Sequence, residues 1–401
     1  MYCVHVATGL RRLSVLDWIR LGLLAAGLAC VATGLLPADE ARASMERIAP
    51  LLLFLCAVII LAELTKEAQV FDVIATWLAI LGRGNYAALF LLCTVFASLV
   101  TIFLNLDTTA VLLTPVMLAL APRAKIQPLP LAMTTVWLAN TASLLLPVSN
   151  LTNLLAMNRI ALDTREFAAR MWAPALTAIA VTMVFLWIFY WRRGAREEDS
   201  YKPPAPVPIG DPVLFFVAAS ACVLFIGAML LGVEIEIAAM VGAIAVVLAF
   251  ALRDRSKLSW SLIPWRLLVF VTGLFLVVPA LSRLGLADVM RTIIGVNGDL
   301  SGALRAAFAG AGLSNVVNNL PAYVAGEQVI PAANDVQLLS LLVGTNVGPV
   351  VTPWGSLATL LWFEWCRRRE VRVPIGRFVA TGAGLAVVGL TATVVVLWLT
   401  V

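Results

Sequence analysis

Eleven stretches of this chain, 21–37, 48–65, 87–121, 131–157, 172–191, 212–232, 235–252, 267–282, 302–331, 336–363 and 375–401, are uncharged or nearly so. A hydrocarbon layer about 30 Å thick and a helical rise of about 1.5 Å per residue ask for about 20 apolar residues per crossing. With 62% hydrophobic residues, 13% charged residues and a mean hydropathy of +0.98, there is more apolar surface than one soluble core could hide. A membrane barrel would alternate apolar and polar residues at every second position, and these runs do not. The expected class is therefore an all-α polytopic membrane protein with the lipid bilayer as its first partner.

The basic residues give the runs a direction. A net charge of +5 would suggest nucleic acid in a soluble chain, but here the charges punctuate helix ends, and no nucleic-acid partner is expected. Arg11, Arg12 and Arg20 follow too short an apolar run for a signal peptide, which puts the amino terminus in the cytoplasm of an inner-membrane protein. If 87–121 and 302–331 are re-entrant hairpins and the other nine runs are full spans, 20 of the 28 Lys and Arg fall on the cytoplasmic side. The external side keeps Arg42, Arg47, Arg159, Arg165, Arg170, Arg283, Arg291 and Arg305, the bias expected of such proteins. Counting each hairpin as two crossings leaves this sidedness unchanged for most loops. Tip chemistry favours re-entry, because the polar clusters at Asn105–Thr109 and Ser314–Asn319 need partners only at mid-membrane.

Nine crossings make the halves inverted with respect to each other, which implies alternating access. The divisions are 1–44, an amino-terminal segment with the first span; 45–191, the first repeat, with hairpin 87–121 and broken span 131–157; 192–210, a charged, proline-rich cytoplasmic linker expected to be flexible; 211–263, a connecting helix pair; and 264–401, the second repeat, with hairpin 302–331 and broken span 336–363. Amphipathic connectors are expected near 67–82 and 284–296. No GxxxxGK[ST] occurs, so this polypeptide does not itself hydrolyse ATP.

Two runs carry the same interruption 206 residues apart. The first holds Asn140, Thr141, Ser143, Ser149, Asn150 and Asn153 around Pro147; the second holds Thr345, Asn346, Thr352, Gly355, Ser356 and Thr359 around Pro349 and Pro353. Proline at 147 removes the hydrogen bond to the Ser143 carbonyl, exposing backbone acceptors beside side-chain amides. Small polar residues can also serve only to glue helices together, but recurrence at matched offsets points to a shared site. Asp107, the only acid in 87–121, costs at least about 2.5 kcal/mol at the bilayer centre. It reads either as a proton or cation site, with Asn105, Thr108 and Thr109 as oxygen ligands, or as a helix N-cap. Asn315, Asn318 and Asn319 are the matching candidates in the second hairpin, and Glu327 is a candidate for an external vestibule. Cys3, Cys30, Cys56, Cys93, Cys222 and Cys366 form no CxxC pair, and His5 is the only histidine, so no structural metal site and no organic cofactor are expected. Nor is there a nucleophile–base pair for an enzyme.

At these residues the chain resembles the arsenical-pump membrane protein (arsenite permease) family of the ion transporter superfamily. The resemblance covers about 21–401 and is most specific at Asp107–Pro115, Thr141–Asn153, Val317–Pro321 and Gly348–Trp362. It implies the inverted-repeat ion-transporter fold and export of arsenite or antimonite as a neutral trihydroxide, coupled to protons and sometimes assisted by a soluble ATPase subunit. A homodimer is also what related transporters imply. The family commonly has aspartate where this chain has Asn140 and Asn346, and asparagine where it has Leu106. Asparagine cannot exchange a proton, so Asp107 alone carries coupling, or sodium held by neutral oxygens replaces the proton, or transport is uncoupled. The runner-up is a sodium-coupled importer of di- or tricarboxylates or sulfate, which would want a fixed positive charge in the site. Among the hairpins and broken spans the sequence offers only Arg305, near an end.

Overall fold

The computed structural model describes residues 15–192, 200–295 and 297–401. Cys3, His5, Arg11, Arg12, Arg193 and Arg196 lie outside the described residues. The regular structure of the described residues is helical, and a lone antiparallel bridge, Asn85 to Ser200, is the only extended pairing among them.

The first half runs α1 (Val15–Ala32), α2 (Ala38–Glu67), α3 (Val70–Leu81), α4 (Tyr86–Leu104), the single turn α5 (Leu106–Thr108) and, after a π turn, α6 (Thr114–Ala124). It continues with α7 (Pro128–Thr141), α8 (Leu151–Arg159) and α9 (Thr164–Leu186). The helix pair α10 (Pro212–Leu230) and α11 (Ile235–Arg253) follows. The second half is α12 (Trp265–Leu281), α13 (Ala287–Ile294), α14 (Leu300–Val317), α15 (Asn319–Glu327), α16 (Asp335–Val347), α17 (Leu357–Arg368) and α18 (Ile375–Thr400). Helix starts carry the caps their chemistry favours. Asn85 Oδ1 accepts from the Ala87 and Ala88 amides, Asp211 and Asp299 cap α10 and α14, and Asp163 forms a capping box with Glu166.

Seven described helices have the length and hydropathy to cross a membrane, where the sequence led us to expect nine full spans. The difference has a physical origin. The broken spans are split into helices of 14, 9, 13 and 12 residues, each too short alone, and α1, expected as the first span, is not among the seven. Conversely α4, one leg of the first hairpin, is 19 residues long and counts by itself. The expected connectors are α3 and α13.

Six ion pairs between distant segments obey the division into two faces read from charge. Arg47–Glu327, Arg170–Asp335 and Arg283–Glu40 join segments of one face; Arg253–Asp211, Lys257–Glu67 and Arg266–Asp17 join segments of the other. None crosses between faces. Both feet of the first hairpin rest on the Lys257 side, held by the linker: the Tyr201 amide donates to Gly84 O (3.2 Å) and the Lys202 amide to Ala124 O (3.1 Å). The linker is thus pinned at 200–202, where the sequence suggested a flexible tether. The second hairpin, α14 and α15, has its feet on the Arg47 side, with Glu327 on Arg47 and Gly326 against Ile294.

Close approach of α14 and α16 depends on small residues, as expected where packing rather than hydrophobicity drives association. A Cβ on Gly344 would stand 2.1 Å from Ala307 O, and one on Gly348 2.4 Å from Ala311 Cβ. Both neighbours belong to the α14 helix, which cannot yield as a side-chain end would. Gly344→Ala is expected to destabilise by about 1–3 kcal/mol or more, read as a lower melting temperature of the purified protein, whereas Gly312→Ala, with nothing within 4 Å, leaves it unchanged.

Candidate transport site

Each hairpin turns at an asparagine in the same rare backbone conformation, Asn105 at φ 123°, ψ 152° and Asn318 at φ 94°, ψ 155°. Such geometry is close to glycine-only territory and costs about 1–3 kcal/mol at each tip, so the surrounding contacts must hold it in place. At the first tip the Asn105 carbonyl side chain accepts from the Asp107 amide at 2.8 Å. The cap is therefore Asn105, and Asp107 is left free of that role.

The broken spans part and restart at matched positions. α7 stops at Thr141, before the proline, and α8 begins after Asn150, whose Oδ1 accepts from the Thr152 amide at 3.2 Å. α16 stops at Val347, and α17 begins after Ser356, whose hydroxyl accepts from the Thr359 amide at 3.1 Å. The Ser143 carbonyl expected to be freed is freed indeed, and it accepts from the Ser149 hydroxyl (2.8 Å) and the Asn153 amide (2.7 Å). Across the halves, Asn346 Nδ2 donates to Asn153 Oδ1 at 2.8 Å, and Asn140 Nδ2 donates to Thr359 Oγ1 at 3.3 Å. Residues 140 and 346 correspond, as do 153 and 359, so this is one contact made twice with the halves exchanged.

The tips meet. Asn105, Leu106 and Asp107 from the first hairpin, Asn318 and Asn319 from the second, and Asn150 and Leu357 at the starts of α8 and α17 enclose a void of about 30 Å³. Hairpins with feet on opposite faces thus share one space at their ends. Asp107 also lines a second, larger cavity of about 770 Å³, whose mouth carries Arg20, Arg266, Arg367, Arg368, Glu63 and Glu364. The Asp107 carboxylate, flanked by Leu267 and Leu357, forms the partition between the two. It faces the first turn of α17, near the Ala358 amide, where the helix dipole favours a negative charge.

Of the residues singled out in the sequence, Asn105, Asp107, Asn150, Asn318 and Asn319 line the void, and Thr108 lines the larger cavity. Asn346, Asn153, Ser143 and Ser149 form a hydrogen-bonded layer behind it. The others are occupied elsewhere. Thr109 donates to Asn105 O, Thr141 to Trp137 O and Thr345 to Leu342 O, each within its own chain segment. Asn315 splices the second break, donating to Gly348 O (2.8 Å) while its Oδ1 accepts from the Thr352 amide and hydroxyl (both 2.9 Å). Gly355 is required there because a Cβ would stand 2.9 Å from that Oδ1. Glu327 lines neither cavity; the Arg47 fork holds it at 2.9 and 3.1 Å.

Sequence reasoning missed Thr152, whose hydroxyl donates to Asn346 Oδ1 at 2.8 Å, although its spacing from Asn150 and Asn153 was visible. It also missed Arg20 and Arg266, which share Asp17 at 2.8 and 3.0 Å. That pairing depends on α1 lying against α12, which no local signal announces.

Residues 13–337 match the model of the citrate transporter family, more than half of the chain. The chain belongs to the citrate transporter family. Among curated relatives, the arsenical pump membrane protein of Escherichia coli K12 is 29% identical over 347 residues, covering 81% of this chain and 80% of its own. An uncharacterized transporter of Mycobacterium tuberculosis is 22% identical over 366 residues, covering 86% and 84%. The resemblance to arsenical-pump membrane proteins drawn from the tip and break motifs is thereby borne out. Among solved structures, the YdaH transporter of Alcanivorax borkumensis, described as having an unusual topology, superposes with a TM-score of 0.57 at 16% identity, covering 96% of this chain and 97% of that one. The fold is a shared one, and this member of the family is a multi-span membrane transporter.

Proposed function

We propose that this protein is a secondary transporter exporting arsenite or antimonite as the neutral trihydroxide, by alternating access between re-entrant hairpins, from the cytoplasm across an inner membrane. The observation that carries the reading is the composition of the shared void and its partition: five polar side chains, four of them neutral amides and one the Asp107 carboxylate. Amide oxygens and nitrogens suit a hydroxylated neutral solute, whereas an anion would meet Asp107 first. As it stands the void accommodates about one water-sized species, so the solute is taken to enter from the larger cavity beside Asp107 and Thr108 and to meet the amides as the hairpin tips part. That cavity opens on the face of Arg20, which the charge bias makes cytoplasmic. Coupling would be to a proton or sodium ion at Asp107. The relatives named as arsenical pumps support the choice of solute.

A second reading is favoured by one specific observation: four arginines at the cavity mouth, the fixed positive charge that di- or tricarboxylates or sulfate would need. Asp17 and Glu364 already partner those arginines, and this ranks it second. Everted vesicles given arsenite, antimonite, citrate or sulfate under separately imposed proton and sodium gradients decide between them. Gradient-driven accumulation of arsenite and antimonite is expected, with no need of added ATP or ATPase subunit. Accumulation of citrate or sulfate alone would sink the metalloid reading.

A further inference from the structure

The void at the hairpin tips stands between two larger spaces. On the Arg20 side it shares Asp107, Leu267 and Leu357 with the cavity of about 770 Å³. On the Arg47 side lies a crevice of about 400 Å³, walled by Leu51 of α2 and the α10–α11 turn on one hand, and by Leu154, Met157 and Asp163 of α8 and the start of α9 on the other. Crevice and void have no lining residue in common, yet they are one helical turn apart on both walls. Leu51 lines the crevice and Leu55 the void; Leu154 lines the crevice and Leu151 the void. Four residues of α2 rise about 6 Å and three of α8 about 4.5 Å, so the barrier is a single layer of leucines. None of the four is more than 7% exposed.

The other half supplies the comparison. At the offset of 206, Leu151 and Leu154 correspond to Leu357 and Leu360 of α17. Those two line the larger cavity and are partly exposed, whereas Leu151 and Leu154 are buried. The same pair of leucines, at the restart of each broken span, is therefore shut on one face and parted on the other. The shut layer also lies on a seam between groups of helices: α2 packs on α10 and α11, whereas α8 packs on α15 and α16. Pro50 precedes Leu51 inside α2 and has no amide to give to the Glu46 carbonyl, which provides a place for the outer turns of that helix to bend.

We propose that Leu51 and Leu55 with Leu151 and Leu154 are the external gate of the transport route, that the crevice is the vestibule through which solute is released, and that Leu357 and Leu360 belong to the cytoplasmic counterpart, parted here. The assignment rests on the alternating access proposed above and adds its outer half. An aliphatic layer closes a constriction to water and polar solutes, and no hydrogen bond has to break for it to open. The polar wall of the vestibule sets Asn158, Asp163, Glu234 and Glu236 against Arg165, so a neutral species passes it more readily than a carboxylate or sulfate.

Labelling of the full-length protein in right-side-out vesicles with a charged, membrane-impermeant methanethiosulfonate tests it with no transported solute present, the parent's own cysteines giving the baseline. Met157→Cys, in the crevice, should react from outside, and Leu106→Cys, in the void, should react far more slowly. Leu154→Ala thins the layer and should speed external labelling of Leu106→Cys at least about tenfold. Leu385→Ala, which shortens an equally buried leucine of α18 outside the layer, should leave that rate unchanged. Leu154→Val, one methylene shorter than the parent, should give a smaller acceleration and guards against a fold defect of the alanine variant. Met157→Cys unreactive from outside, Leu106→Cys as reactive as Met157→Cys, or equal effects of alanine at 154 and 385 would each overturn the proposal. The predicted labelling pattern without arsenite transport would leave the gate standing and remove the metalloid reading alone.

Discussion

Asp107→Asn is expected to abolish gradient-driven export while leaving the protein folded and inserted. The carboxylate is the only acid in its hairpin run and stands on the partition between the two cavities. Its amide isostere keeps the shape, and removing a charge from the bilayer interior relieves a cost of at least about 2.5 kcal/mol rather than adding one. Folding is thus spared, and what disappears is the acid at the hairpin tips able to exchange a proton or offset a cation, Glu63 and Glu364 lying at the cavity mouth. Arsenite accumulation in everted vesicles should fall at least about tenfold, the loss that a missing charge-assisted contact of about 1.5 kcal/mol entails. Asp107→Glu, which keeps the charge but lengthens the arm, should retain part of the rate. Equal accumulation by parent and Asp107→Asn vesicles would remove Asp107 from the coupling mechanism.

Arg47→Ala is expected to cost the protein a large part of its stability. Glu327 is 2% exposed and held by both guanidinium nitrogens of Arg47, from a helix of the opposite half. Deleting the arginine strands a carboxylate at the foot of the second hairpin, and breaking such a pair costs about 3–5 kcal/mol. Arg47→Lys, with one ammonium in place of the planar fork, should fall between. The decisive comparison is the double variant Arg47→Ala, Glu327→Gln. Neutralising the stranded group should return most of the lost melting temperature, and failure to do so would mean that Arg47 acts by packing alone.

The two asparagine tips, the two interrupted spans and the correspondence of Asn140 with Asn346 were legible because each breaks a long apolar run, and such breaks are rare enough to be informative one at a time. The exact start of each break was not. α7 ends at Thr141 because the loop has its own network, with Ser149 and Asn153 claiming Ser143 O, and that network exists only once the chain has folded back. The proline marks the interruption without starting it. Thr141 and Thr345 looked like ligands by composition, yet hydroxyls on buried helices commonly return to the carbonyl one turn earlier, as these do. Arg20 and Arg266 counted in the sequence only toward the cytoplasmic positive charge. Their convergence on Asp17 needs α1 beside α12, a contact between segments more than 200 residues apart.

The stapling of the first hairpin to residues 201 and 202 carries a further consequence. Both bonds are donated by main-chain amides, which only proline at 201 or 202 would delete, and the buried Tyr201 side chain adds a further hold, its hydroxyl donating to Ala79 O and its ring set edge-on to Tyr86. At 200–202 the peptide joining the halves is therefore anchored to the first hairpin's feet. Any movement of the first hairpin's feet would carry the backbone at 201–202 with it, and a label there would report that movement from outside the bilayer.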